Sequence, residues 1–161
     1  LLGFTRAGDE GGAGGLESVS AHDGVVIVLG DNLADAPVDF GDRSKLYIYI
    51  GQVMGDAARK ADFVLPSTNF AEMEGSFTNL NNRVQRFWPA LQVPGMARPA
   101  WQIIGVLLSG LRDVAAPGRP GDAFAALGEI SAEFAALRFE DLGGEGLPLR
   151  SESAVASSAG L

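Results

Sequence analysis

The sequence predicts an α/β fold: a parallel βαβ sheet, followed by a β-hairpin and packed helices. Three observations carry this. First, "VVIVLG" (25–30), "LYIYI" (46–50) and "DFVL" (62–65) are short apolar runs, each stopped by a Gly or a Pro. Runs without alternation mark strands buried on both faces of a parallel sheet. Second, the gaps between them suit crossovers rather than hairpin turns. Third, the pattern changes after Pro66, where "SFTNLNNRVQRF" alternates around an Asn-rich centre and reads as a hairpin.

The elements follow in order. Residues 1–23 are Gly-rich and polar and read as a lead-in loop. Their "GDEGGAGG" lacks the Lys-Ser/Thr that closes a phosphate loop, and no strand precedes it, so it reads as flexible loop. Residues 31–45, with Pro37 and Gly41, form a crossover with little helical pattern. The eleven residues "GQVMGDAARKA" form a shorter crossover, with Asp56 as cap of a helix carrying Ala57, Ala58, Arg59 and Lys60. In the hairpin, Phe77, Val84 and Phe87 are the apolar anchors and Leu80-Asn81-Asn82 the turn, since Asn tolerates positive φ. "RPAWQIIGVLLSGL" is a helix that Pro99 helps to start. Its Trp101, Ile104, Leu108 and Leu111 fall on one stripe, read as core, and Gly105 permits close packing. "DAFAALGEI" and "SAEFAALRF" are two short helices with Asp122 and Ser131 as caps, and "DLGGEGLPL" is a loop. The domain reading is therefore a lead-in over 1–23, an α/β domain over 24–113, short helices and a closing loop over 114–148, and a disordered tail over 149–161.

Composition removes whole classes of function. The 161 residues contain no Cys and a single His, and carry a formal net charge of −8. Without Cys there is no disulfide, Cys-ligated zinc site or iron–sulfur cluster within this chain. His22 alone makes neither a His-based triad nor a multi-His metal site, and reads as a solvated residue before the first strand. An acidic chain offers no broad basic face to nucleic acid. No stretch reaches the roughly 18 apolar residues of a membrane span, so direct membrane insertion is not expected. The absence of Cys fits a cytoplasmic protein. The chain opens on Leu-Leu-Gly, which reads as a fragment or a trimmed product.

The polar residues of 63–87 are the candidates for chemistry. Glu72 and Glu74 share a face of an extended segment but lack a His, Cys or metal partner, so they read as loop ties, one of them pairing with Arg83. Arg83 and Arg86, with Arg59 and Lys60, have the chemistry to grip a pyrophosphate. Asn79 reads as a backbone-bridging turn residue. Tyr47 and Tyr49 alternate with Leu46, Ile48 and Ile50 and read as packing on the sheet's other face. No residue is assigned a catalytic role and none a metal. The turns at the strands' carboxyl ends, Gly30-Asp31-Asn32, Gly51-Gln52 and Pro66-Ser67, are where a parallel sheet places its ligand crevice.

"ARKADFVLPSTNFAEMEGSFTNLNNRVQRF", followed by "PGMARPAWQII", resembles the molybdopterin oxidoreductase superfamily. The matching positions include Ala58, Ala61, Asp62, Leu65, Pro66, Glu72, Gly75, Phe77, Thr78, Asn79, Arg83, Gln85, Pro94, Gly95, Ala97 and Trp101. The family's Glu-Gly before Arg is Asn81-Asn82 here, its Thr is Ser76, and its Asp before Trp is Ala100. Two branches share these motifs. One is the large iron–sulfur subunit of NADH–quinone oxidoreductase, respiratory complex I, whose closing stretch "FEDLGGEGLPL" resembles. The other is the catalytic subunit of formate dehydrogenase and its relatives.

The closing stretch favours the first branch. It implies a cofactor-free scaffold domain of an electron-transfer subunit, with iron–sulfur clusters elsewhere in the polypeptide and other soluble subunits as partners. It also implies a place on the cytoplasmic, peripheral side of the inner membrane. The second branch implies a bound molybdopterin, for which Asn79, Arg83 and Gln85 are the candidate contacts. A stand-alone binding module of the same fold is a third reading.

Overall fold

The structure, a computed structural model, describes residues 15–30 and 33–149. The lead-in up to residue 14, Asp31-Asn32 and the predicted tail from residue 150 lie outside the described residues. The described residues fall into two compact units, one within Leu1–Asn69 and Pro94–Ala100, the other within Phe70–Val93 and Trp101–Leu161.

The first unit is built on a three-stranded sheet in the order β1-β2-β3. Helix α1 (Gly15–Ser20) leads into β1 (Val25–Leu29), and β2 (Leu46–Gly51) and β3 (Phe63–Pro66) follow. Both pairings are parallel, with Ile27 beside Ile48 and Ile48 beside Phe63. The connection after β1 forms successive turns, Phe40 N–H donating to Pro37 O at 2.9 Å and Ser44 N–H to Gly41 O at 3.1 Å. Gly41 is required there: its φ is +79°, and an added Cβ would lie 2.7 Å from the Tyr47 ring. The second connection holds α2 (Asp56–Arg59). Its N-cap is Gly55, so Asp56 is the first helical residue rather than the cap. There its carboxylate acts on the helix dipole instead of on an orphan N–H.

Both connections pack on one face of the sheet. Val26, Val28, Leu33, Phe40, Tyr47, Tyr49, Ala57 and Ala58 form a single buried cluster. Tyr47 and Tyr49 thus pack on the covered face, as their alternation predicts. Burial pushes the Tyr47 phenol above its ordinary value of 10.0, and Tyr49 adds to the rise. The other face departs from the expectation of strands buried on both sides. Val25, Ile27, Leu29 and Phe63 are between 49% and 59% exposed.

The second unit contains the hairpin, β4 (Gly75–Thr78) and β5 (Arg83–Phe87), in antiparallel register. Of its three predicted anchors only Val84 is core, at 1% exposed. Phe77 is exposed and stacks on Phe87 with ring centroids 4.7 Å apart. The reason is strand parity: Val84 faces the helices, while Phe77 and Phe87 share the opposite face. Part of the predicted closing loop is a short strand, β6 (Leu147–Pro148), added antiparallel to β5. Phe124, Phe134, Phe139 and Leu142 complete the core around Val84.

These aromatics come from α4 (Pro120–Ile130), α5 (Ala132–Ala135) and a 3₁₀ turn at Phe139–Asp141. Asp122 caps α4 from its third helical position, accepting from Arg119 N–H at 2.9 Å and Gly118 N–H at 3.0 Å. The N-cap itself is Arg119. Ser131 does occupy the N-cap of α5, without a side-chain cap bond. Helix α3 (Ala100–Leu111) is largely apolar, with Gln102 and Ser109 on one side. Its predicted stripe is only partly covered: Trp101 and Ile104 are half-buried, whereas Leu108 is 45% and Leu111 81% exposed. Gly105 is its one buried residue, and an added Cβ would meet Pro117 Cδ at 2.2 Å.

Candidate functional site

A parallel sheet concentrates backbone polarity and sequence freedom at its carboxyl edge, where strands give way to turns. Here three turns meet there. Gly30 closes β1 with a φ of +73°, its N–H donating to Ile50 O at 2.9 Å. Gly51 closes β2, and an added Cβ would lie 2.5 Å from the Tyr49 hydroxyl, which itself donates to Val53 O at 2.8 Å. Ser67 and Thr68 follow β3. Ser67 N–H donates to Gly51 O at 2.9 Å, and Thr68 N–H to Arg98 O at 3.1 Å. The returning segment is held by Arg98 N–H donating to Pro66 O at 3.1 Å. Gln52 Nε2 donates to Thr68 O at 3.0 Å, tying the second turn to the third.

Thr68 is the residue that sequence reading missed. It is 2% exposed, and its hydroxyl is buried with no hydrogen-bond partner among the described residues. Polar groups in that state are rare and commonly mark a missing ligand or water. Its only sequence signal is its place two residues after the Pro that ends β3.

Beside this edge, a cleft of about 400 Å³ opens between the connection after β1 and the one after β2. Leu33, Pro37, Val53, Gly55 and Lys60 line it. Leu33 adopts a φ of 54°, a left-handed conformation that costs a non-glycine residue about 1 kcal/mol. The Lys60 ammonium is engaged, donating to Val38 O and to Asp42 Oδ1.

The hairpin residues are placed otherwise. Asn79 organises the turn: its Oδ1 accepts from Asn81 N–H at 2.9 Å and Arg83 N–H at 3.0 Å, and its Nδ2 donates to Gln85 Oε1 at 3.0 Å. This is the backbone-bridging role its sequence position suggests. Asn82 supplies the positive φ, 54°, in the place where the resembling family has Gly. Arg83 does not pair with Glu72 or Glu74. Its Nε donates to Glu145 O at 3.0 Å and its Nη2 to Gly146 O at 2.5 Å. Gln85 Nε2 donates to Gly144 O at 2.6 Å. Glu74 instead takes Arg86, whose Nε and Nη2 both donate to Oε1, the former at 2.7 Å. The Arg86 guanidinium also lies 4.6 Å from the Phe139 ring centroid. Asn79, Arg83 and Gln85 therefore come together as one cluster, directed at the turn and the closing loop. Among the described residues, no three His, Asp or Glu side chains are grouped to hold a metal.

Comparison with known proteins agrees with the α/β fold. The chain matches the molybdopterin oxidoreductase family over residues 13–109. It is similar to F420-dependent formate dehydrogenase 2 subunit alpha of Methanococcus maripaludis, 31% identical over 121 residues, which is 71% of this chain and 18% of that protein. The alpha subunit of F420-dependent formate dehydrogenase 1 from the same organism is 30% identical over 94 residues, 57% of this chain and 14% of that protein. The assimilatory nitrate reductase catalytic subunit of Bacillus subtilis is 35% identical over 69 residues, 43% of this chain and 10% of that protein. The chain thus spans less than a fifth of the length of each of these relatives. With a family match that covers the sheet, the carboxyl-edge turns and the hairpin, this chain belongs to the molybdopterin oxidoreductase family.

Proposed function

We propose that the chain is part of a molybdopterin-dependent oxidoreductase of the formate dehydrogenase type, and that the carboxyl edge of its parallel sheet faces the pterin cofactor. This exchanges the order of the two branches taken from the sequence. The relatives that support the reading are named as formate dehydrogenases and a nitrate reductase, rather than as subunits of respiratory complex I.

The observation that carries it is the Thr68 hydroxyl, buried at the strand ends and without a partner among the described residues. The residues present fit a flat, polar group there. Among the described residues, nothing lies within 4 Å of a Cβ added at Gly30. Gln52, Ser67 and Thr68 offer amide and hydroxyl groups at the same edge. Gly30, Gln52, Ser67 and Thr68 would hold the group, whose metal supplies the two-electron chemistry when it is bound. These residues bind and orient. None has the acid–base chemistry to move a proton.

The test is metal analysis with pterin fluorescence on the intact protein, wild type and Thr68→Val. Molybdenum and pterin present in the wild type and depleted in the variant support the reading. A protein that carries neither overturns it.

One observation favours the alternative, a cofactor-free scaffold in an electron-transfer subunit. Asn79, Arg83 and Gln85, the hairpin's candidate pterin contacts, spend their polar groups on the hairpin and closing loop. In that reading iron–sulfur clusters sit elsewhere in the polypeptide and other soluble subunits are the partners. Among the described residues, no helix is long and apolar enough to cross a membrane.

A further inference from the structure

Asp23 and Gly24 form the one Asp-Gly step in the 161 residues, and no Asn-Gly step occurs. The pair lies between α1 and β1, after a turn in which His22 N–H donates to Val19 O at 3.1 Å. His22 and Asp23 are both exposed. The His22 imidazole lies against Gly24: a Cβ added there would stand 2.5 Å from its Nε2 and 3.0 Å from its Cε1. The ring thus fills the place that a side chain on Gly24 would take, beside the peptide nitrogen on the same Cα. The Gly24 carbonyl accepts from Lys45 N–H at 2.9 Å, whereas the Gly24 N–H donates no hydrogen bond among the described residues. A carboxyl, an uncommitted amide nitrogen with no side chain to shield it, and an imidazole, the commonest general base, are therefore neighbours.

We propose that Asp23-Gly24 is a self-modification site: the Gly24 nitrogen closes on the Asp23 carboxyl to a succinimide that reopens to isoaspartate, with His22 as the base. The step balances without a co-reactant. From the protonated carboxyl, a bond forms between Gly24 N and Asp23 Cγ, and the Cγ–OH bond breaks. His22 takes the amide proton, directly or through one water, and returns it to the departing hydroxide, so that water leaves. Water then adds back to the ring. Opening at Cγ restores aspartate. Opening at the backbone carbonyl routes the main chain through Cγ and frees the α-carboxyl. Nothing is oxidised or reduced, and the mass ends unchanged. The isomer lengthens the main chain by one carbon just before β1, where the Lys45 N–H bond and the pairing of Val25 with Leu46 set the register against β2. The site lies at the amino end of β1, away from the carboxyl-edge turns, and the inference does not rest on the proposed function.

Peptide mapping of the intact polypeptide after warm incubation at neutral pH, with electron-transfer fragmentation to tell isoaspartate from aspartate, tests this. Isoaspartate should accumulate at residue 23 about tenfold faster than at the exposed Asp35 and Asp42, whose neighbours Ala36 and Arg43 carry side chains. His22→Gln, folded by circular dichroism, should slow it about tenfold, and should change nothing in urea, where the ring no longer lies on Gly24. Accumulation at residue 23 no faster than at Asp35 overturns the inference. So does a folded His22→Gln protein that isomerises at the wild-type rate, or a His22→Gln effect that persists unchanged in urea.

Discussion

Arg83 and Gly146 are joined across more than sixty positions of chain. The Arg83 guanidinium donates to the Gly146 carbonyl at 2.5 Å and to the neighbouring Glu145 carbonyl at 3.0 Å. The hairpin and the closing loop are therefore one structure. Gly146 itself has a φ of +71°, and an added Cβ would sit 2.6 Å from Val84 O, so the loop presses against the strand it bonds.

Removing this tie should loosen the loop selectively. Arg83→Ala is expected to lose about 2 kcal/mol, the scale for hydrogen bonds from a charged donor. Arg83→Lys should recover little, because one ammonium does not reproduce the two-point fork. Urea unfolding gives the magnitude. Hydrogen exchange should show the added opening at residues 143–149, and uniform exchange across the chain would refute the assignment.

The turn residue Asn82 makes a second prediction. At a φ of 54° a residue with an ordinary side chain is strained, and Asn less so. Asn82→Ala should destabilise by about 1 kcal/mol, while Asn82→Gly should be neutral or slightly stabilising. The ordering of urea midpoints, Gly at or above wild type and Ala below, checks it.

Two glycines of α3 should respond with opposite signs. Ala is favoured over Gly in a helix by about 1 kcal/mol. At Gly110 nothing among the described residues lies within 4 Å of an added Cβ, so Gly110→Ala should gain most of that amount. At Gly105 the new Cβ would lie 2.2 Å from Pro117 Cδ. Overlap of that size costs about 1–3 kcal/mol and outweighs the propensity gain, so Gly105→Ala should lower the thermal midpoint.

The cap of α4 predicts a pH dependence. The Arg119 side chain beside Asp122, aided by backbone N–H groups, holds its carboxyl below the ordinary value of 3.8. A carboxyl with a lowered folded-state pKa stabilises above its unfolded value, and that stabilisation is lost as pH falls through the folded value. Asp122→Asn should therefore be less stable than wild type at neutral pH. The gap should close as pH is taken below the ordinary carboxylate range, which thermal unfolding from pH 7 down to acid measures.

What the sequence by itself determined was local. Three apolar runs with Gly and Pro stops specified the strands, and Asn79 to Asn82 specified a turn, because those signals act over a few residues. The Tyr47 and Tyr49 alternation specified a face for the same reason. The family motifs, dense between Ala58 and Trp101, were legible as well. Tertiary structure alone decided the rest. Arg83 took carbonyls near residue 145, leaving Glu74 to Arg86, since a charged side chain chooses among partners that only folding brings near. Thr68 became a candidate contact when burial removed its hydroxyl from water. The α3 stripe and the outer face of β1 looked like core from their composition, yet composition records that a surface is apolar and not what lies against it.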